Sequence, residues 1–294
     1  MARIAITGGT GFVGLHTARA LSDAGHELRL VARGRRSALR PAGAQFVRAD
    51  VVSGEGLVAA LQGCDAVVHL AAVIRERGSQ TFDKVNRQGA ENVARAAREA
   101  GVGHIVHLSA LGCDPDPAYP YLLSKWAGEQ AVRAGGVPFD VIRPSIMFGT
   151  GDGFYTRLVK LIRWNPVVPV PGDGGATFQP FAVSDLGRIV VQCIERGPRR
   201  LVAEVGGPDW MTLDEIVDTI KGVMHTRRPS VHVPVMALLP PAVIFDKLLP
   251  NPPVTPAQLK MLERRNTTHP QAVQQQFGFE PLSFRDNCDY LQDY

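Results

Sequence analysis

The chain opens with a short apolar run, Arg3-Ile4-Ala5-Ile6-Thr7, which passes directly into Gly8-Gly9-Thr10-Gly11-Phe12-Val13-Gly14 and then into a helical pattern. No other feature constrains the fold as strongly. Glycine tolerates positive φ in a tight turn, lets backbone approach a pyrophosphate, and allows a helix to pack closely on a strand. The helix that follows presents unpaired N–H groups and a partial positive charge to phosphate. Glycines at this spacing are common by themselves, but the strand–turn–helix context makes the signal specific for a dinucleotide. Gly8, Thr10, Gly11, Phe12, Val13 and Gly14 are therefore the expected phosphate-binding residues.

The rhythm of the first half agrees. Strand-like runs at 3–7, 27–32, 45–49, 66–70, 104–108 and 139–142 alternate with helical patterns at 13–24, 54–62, 82–100 and 124–134. Near-continuous apolar runs such as Ala66-Val67-Val68-His69-Leu70 suit strands buried on both faces. Repeated strand-then-helix order predicts an α/β fold, a doubly wound parallel (Rossmann) sheet with ligands at the carboxyl ends of its strands. After about Gly149 the rhythm breaks. Residues 165–180 read as loop with one short strand, and helical patterns return at 183–196, 212–225 and 256–264. The expected division is a dinucleotide-binding domain over 1–149, to which part of the later chain returns, and a small C-terminal substrate lobe over 150–294.

The second strand bears on the choice of cofactor. A site preferring NAD(H) ends that strand with an acid that holds the ribose hydroxyls. Here Leu30-Val31-Ala32 is followed by Arg33, with Arg35 and Arg36 beyond it. Arginine pairs with a 2′-phosphate through charge-assisted hydrogen bonds, so NADP(H) is expected in preference to NAD(H). The alternative is that Arg33 is an exposed loop residue. Asp50, at the end of the third strand, is placed either to meet the adenine edge or to cap the next helix.

Tyr121 and Lys125 stand four residues apart, on one face of a helix and one turn from each other. A lysine cation beside a phenol is expected to lower its pKa and make it a usable acid or base. Ser109 follows the strand at 104–108, on the edge where a nicotinamide would sit.

Taken together, these residues resemble the short-chain dehydrogenase/reductase superfamily in its extended, NAD-dependent epimerase/dehydratase branch. The resemblance is carried by the glycine turn, Asp50-Val51, His69-Leu70-Ala71-Ala72, Asn86, Ser109, Tyr121 with Lys125, and Arg143-Pro144-Ser145-Ile146-Met147-Phe148-Gly149. Phe178-Gln179-Pro180-Phe181-Ala182-Val183-Ser184-Asp185 adds a later patch. Within the branch, Leu108-Ser109-Ala110-Leu111-Gly112 and the proline-broken apolar segment near the C-terminus are similar to the subgroup of the complex I nucleotide-binding accessory subunit and its bacterial relatives. The resemblance implies Tyr121 as general acid/base, Lys125 on the nicotinamide ribose, and Ser109 on the reacting oxygen. It also implies Asp50, Val51, Leu70, Ala71 and Ala72 on the adenosine side, and Pro144 and Ile146 beside the carboxamide. Where sugar-nucleotide members carry an asparagine after the Tyr-x-x-x-Lys helix, this chain has Ser145-Ile146-Met147, which argues against a nucleotide-sugar substrate.

Net charge is +4 and the basic residues are dispersed, so no nucleic-acid partner is expected. The four cysteines form no Cys-x-x-Cys pair and the eight histidines no metal spacing, so neither a disulfide framework nor a metal is expected. His69 and His107 read as structural, Arg75, Glu76 and Arg77 as loop charges, and Phe154, Tyr155 and Trp164 as substrate-lobe lining or core. No secretory signal or spanning segment is evident, which points to a cytoplasmic protein, or one peripheral to the inner face of a membrane. The apolar, proline-interrupted stretch 233–249 reads as a short helix closing the small lobe's core, or as a surface meeting a membrane or lipid-like substrate. Two functions fit: an NADP(H)-dependent oxidoreductase or epimerase/dehydratase acting on an alcohol or ketone, and a non-catalytic NADP(H)-binding subunit or assembly factor of a respiratory or quinone pathway.

Overall fold

The computed structural model describes residues 1–34, 41, 43–249 and 254–294, so Arg35 and Arg36 lie outside the described residues. The chain forms two compact units: Met1–Pro144 with Val183–Val205, and Ser145–Ala182 with Gly206–Tyr294.

The first unit carries strands β1 (Arg3–Thr7), β2 (Glu27–Ala32), β3 (Gln45–Arg48), β4 (Ala66–His69), β5 (His104–Leu108) and β6 (Phe139–Pro144). With Val202–Val205 they make a seven-stranded sheet ordered Val202–Val205, β6, β5, β4, β1, β2, β3, every pair parallel. This is the doubly wound sheet that the apolar runs predict. Strand order reverses between β1 and β4, where such sheets open a crevice at their carboxyl ends.

Helices α1 (Phe12–Asp23), α2 (Leu57–Leu61), α3 (Gly89–Glu99) and α4 (Pro120–Ala134) connect the strands, and Val183–Arg196 packs against α1. One core cluster brings Ala5, Val67, Ile105 and Val141 of the sheet against Leu57, Leu61, Val93, Ala97 and Val132. Each fully buried aliphatic side chain of this kind contributes about 1.5–3 kcal/mol. The expected single helix over 82–100 is divided. A wider π turn, Asp83–Gln88, precedes α3 and turns the Asn86 side chain inward. Helix α4 starts earlier than its apolar pattern does, at Pro120, whose fixed φ and missing N–H suit a first helical position.

In the second unit, Val168–Pro171 pairs with Ser230–Val233, Thr177–Phe178 with Met211–Thr212, and Met147–Phe148 with Phe181–Ala182. The segment expected to hold one short strand thus holds two. Its largely aliphatic core includes three packed rings: Phe284 lies 4.6 Å from the Tyr155 ring and 5.2 Å from Phe148. Tyr155 is therefore core, Phe154 half-buried, and Trp164 80% exposed.

The stretch 233–249 departs from its expected burial. It forms helix Val235–Leu248, in which Ala242 alone is buried. Met236 is 76% and Leu248 74% exposed. Nearly every position of this helix is apolar, so no polar face is available to turn outward when one side packs. Among the described residues, no helix is long and apolar enough to cross a membrane.

Close packing of α4 on the π turn yields a stability prediction. A Cβ on Gly128 would stand 2.3 Å from the Asn86 carbonyl oxygen. Gly128→Ala is expected to lower unfolding free energy by roughly 1–3 kcal/mol, measured by urea denaturation. Unchanged stability would show that the two elements separate freely.

Candidate functional site

Backbone hydrogen bonds hold the glycine turn. Gly8 N–H donates to Val31 C=O at 3.1 Å and Gly11 N–H to Gly8 C=O at 3.1 Å. Gly8 has φ +72°, and a Cβ there would come within 2.8 Å of Ala71 N. A Cβ on Gly14 would lie 2.3 Å from Gly8 O. Side chains are excluded by the meeting of the β1 turn with the end of β4, where Leu70 N–H also donates to Thr7 C=O at 3.1 Å. Helix α1 begins at Phe12 with Gly11 as its N-cap, no side-chain cap and no acid in its first turn. Its leading N–H groups are left for an anion, and a dinucleotide phosphate fits this cradle.

The other predicted cofactor residues follow along the strand ends. Arg33 is exposed directly after β2. Asp50 does not cap α2, whose N-cap is Gly56. Its Oδ1 instead accepts Val52 N–H at 2.8 Å, closing a local turn. Val51 is buried and its carbonyl accepts Asn92 Nδ2 at 2.9 Å. Leu70 and Ala71 are half-buried and Ala72 exposed. Pro144 ends β6, where its carbonyl accepts Leu111 N–H at 2.9 Å. Ile146 belongs to the second unit, where its N–H donates to Asn266 at 2.8 Å.

Ser109 and the Lys125 ammonium lie at the end of β5, and Tyr121 stands one helical turn before Lys125. Lys125 is buried and donates its Nζ to the Leu108 carbonyl at 2.6 Å, one residue before Ser109. Ser109 is buried and its N–H donates to Ile142 C=O at 2.8 Å. Tyr121 sits in the first turn of α4, its ring edge-on to Phe82 at 5.8 Å. Burial and the neighbouring Cys113 push its phenol up to about 12, not down as the lysine spacing suggests. Lys125 is turned to a backbone carbonyl, and its own pKa falls to about 8 because burial outweighs the raising fields of Cys113 and Glu129. With this geometry the phenol is a proton donor at neutral pH.

The model of the NAD-dependent epimerase/dehydratase family matches residues 4–206. The chain belongs to the NAD-dependent epimerase/dehydratase family. It is 30% identical over 249 residues to the ceramide reductase of Caulobacter vibrioides, spanning 83% of this chain and 77% of that protein. It is 24% identical over 252 residues to the mitochondrial NADH-ubiquinone oxidoreductase 40 kDa subunit of Neurospora crassa, covering 85% of this chain and 66% of the subunit. The fold is similar to that of dTDP-glucose 4,6-dehydratase from Streptomyces venezuelae, solved with NAD bound, at a TM-score of 0.77 and 19% identity over 99% of this chain and 96% of the other.

The loop after β4 and helix α4 carry polar residues whose roles the sequence did not reveal. Asn86 grips the loop after β4, accepting Val73 N–H at 2.9 Å and donating to Val73 C=O at 3.0 Å. It also donates to Ser124 at 2.9 Å, and Ser124 donates to the Tyr121 carbonyl at 2.7 Å. Loop and helix are thereby locked together. Glu129, fully buried, receives the Arg143 fork at 2.9 and 3.0 Å. The i, i+4 spacing of Tyr121, Lys125 and Glu129 places them on one helix face and was the available signal. Glu76 accepts Phe82 N–H at 2.8 Å, a local loop contact. Among the described residues no cluster suits a metal, and all four cysteines are free and buried.

His69 and His107 stack at 5.2 Å inside the sheet, and Thr7 shares a 2.6 Å hydrogen bond with His69 Nδ1. Burial, with the Lys125 charge, lowers His69 from 6.5 to about 3, and lowers His107 well below its ordinary value with His69 adding to the effect. Both rings are neutral in the fold, while the unfolded chain takes up their protons below about pH 6.5. The unfolded state then binds more protons, so this stability is full above pH 6.5 and is lost as pH falls towards 3. His107→Asn should shrink the loss of stability between about pH 7 and pH 5 by about 2 kcal/mol, read from urea denaturation at both. An unaltered pH dependence would mean the ring titrates normally.

Proposed function

We propose that the chain is an NADP(H)-dependent oxidoreductase that interconverts a ketone and an alcohol of a small-molecule substrate through Ser109, Tyr121 and Lys125. The observation that carries this reading is that Lys125, one helical turn after Tyr121, donates its Nζ to the carbonyl of Leu108, the residue before Ser109. The nicotinamide, when bound, supplies or accepts the hydride. Tyr121, protonated at neutral pH, gives its proton to the carbonyl oxygen. Ser109 hydrogen-bonds that oxygen, and Lys125 holds the nicotinamide ribose. Arg33, with no acid at the end of β2, supports NADP(H) over NAD(H), as its guanidinium suits a 2′-phosphate.

A second reading is favoured by one observation, the exposed apolar helix Val235–Leu248, with Ile244 and Phe245 also uncovered. Together with the similarity to a respiratory-complex subunit, it supports a nucleotide-binding subunit or assembly factor that lays this helix on a membrane or on a partner. An inert ketone panel combined with flotation on anionic liposomes that depends on Met236, Ile244 and Leu248 would support it.

The enzyme reading is tested by NADPH oxidation over a panel of ketones of increasing acyl length. Tyr121→Phe should cut turnover roughly 100-fold or more while NADPH affinity stays within about twofold. Arg33→Ala should weaken NADPH roughly tenfold and leave NADH unchanged. Full activity in Tyr121→Phe would remove the phenol from the chemistry, and an unchanged cofactor preference would remove Arg33 from the site.

A further inference from the structure

We propose that Cys113 is a positioning residue for Ser109: with its thiol donated to the Glu129 carboxylate, its sulfur accepts the Ser109 hydroxyl and fixes where that hydroxyl points. The inference rests on the reading that Ser109 hydrogen-bonds the reacting oxygen.

The geometry orders the whole chain of contacts. After β5 the backbone turns tightly, with Cys113 N–H on Ala110 C=O at 3.2 Å, and brings Sγ to 3.4 Å from Ser109 Oγ. On its other side, Sγ lies 3.6 Å from Glu129 Oε2 as a donor. Both Glu129 oxygens already accept from Arg143, and Oε1 accepts also from Arg133 at 3.3 Å. A carboxylate engaged in this way only accepts, so the hydrogen between Cys113 and Glu129 is the thiol's. A thiol has one hydrogen. In the contact with Ser109, the hydroxyl must therefore be the donor.

Arg143 thus sets the direction of Glu129, Glu129 that of Cys113, and Cys113 that of Ser109. Sulfur suits the last step because it is a weak acceptor. It aligns the hydroxyl yet releases it at little cost when a carbonyl oxygen offers a stronger bond. The Ser109 lone pairs remain available for a substrate hydroxyl in the opposite direction of reaction. Burial raises the thiol's pKa against the lowering influence of Ser109 and Arg143, and Glu129 adds to the rise.

Infrared spectroscopy reads this order directly. The Cys113 S–H stretch is identified as the band lost in Cys113→Ser. It should move to higher frequency in Ser109→Ala and in Glu129→Gln, since each removes a partner that polarises the S–H bond. If Glu129→Gln fails to fold, Ser109→Ala decides. In NADPH oxidation with whichever panel ketone the unsubstituted protein reduces, Cys113→Ala should lower kcat roughly tenfold with KM for NADPH within about twofold, and Cys113→Ser should restore most of the rate. A band unmoved by Ser109→Ala, or unchanged kcat in Cys113→Ala, overturns the proposal while leaving the oxidoreductase reading intact. A panel in which no ketone is reduced counts against that reading instead, and the infrared shift then decides the hydrogen-bond order alone.

Discussion

The site depends on a place where no side chain fits. The turn after β1 runs so close to the end of β4 that a Cβ on Gly8 would collide with the Ala71 backbone. One on Gly14 would collide with the turn itself. That contact brings the mouth of the sheet to its switch point and starts α1 with bare N–H groups. Packing of small atoms against backbone is unforgiving, because interiors have no slack to take up an extra methyl group.

Around that anchor the chain buries an unusual amount of polarity. Lys125, Glu129, His69, His107 and Asn86 all lie inside the first unit. Charges survive there only when matched. Lys125 meets a backbone carbonyl and Glu129 a bidentate arginine, while the two histidines stay neutral. Such groups add little net stability, since removal from water offsets most of the attraction. Their value lies in direction: each holds a neighbour's hydrogen or lone pair at one orientation, and Ser109 and Tyr121 stand at the end of these chains.

Much of this was legible in the sequence because it is local. The glycine turn is seven consecutive residues, and strands such as Val67-Val68-His69 read as buried because both faces are covered. Residues related only by folding were not legible. Arg143 finds Glu129 fourteen positions away across a strand and a helix, and no spacing rule predicts that. The shift of Tyr121 was expected with the wrong sign. Sequence places Lys125 one turn away but does not say that its ammonium turns to Leu108. Of the two readings of Asp50, the helix cap fails, because α2 is capped at Gly56 and the Asp50 carboxylate closes its own turn. The apolar stretch 233–249 misleads for the opposite reason: composition suggests burial, but only contacts decide it, and Ala242 alone is covered.

In the proposed function the glycine cradle and the Ser109, Tyr121 and Lys125 group form one redox site. The most direct measurement is deuterium transfer from NADPH labelled at the reactive carbon of its nicotinamide ring, followed by mass spectrometry of the alcohol formed from a ketone. The unsubstituted protein should give an alcohol carrying one deuterium on the former carbonyl carbon, and Tyr121→Phe roughly 100-fold less of it in the same time. Tight NADPH binding with no deuterium delivered to any ketone would contradict the proposed function.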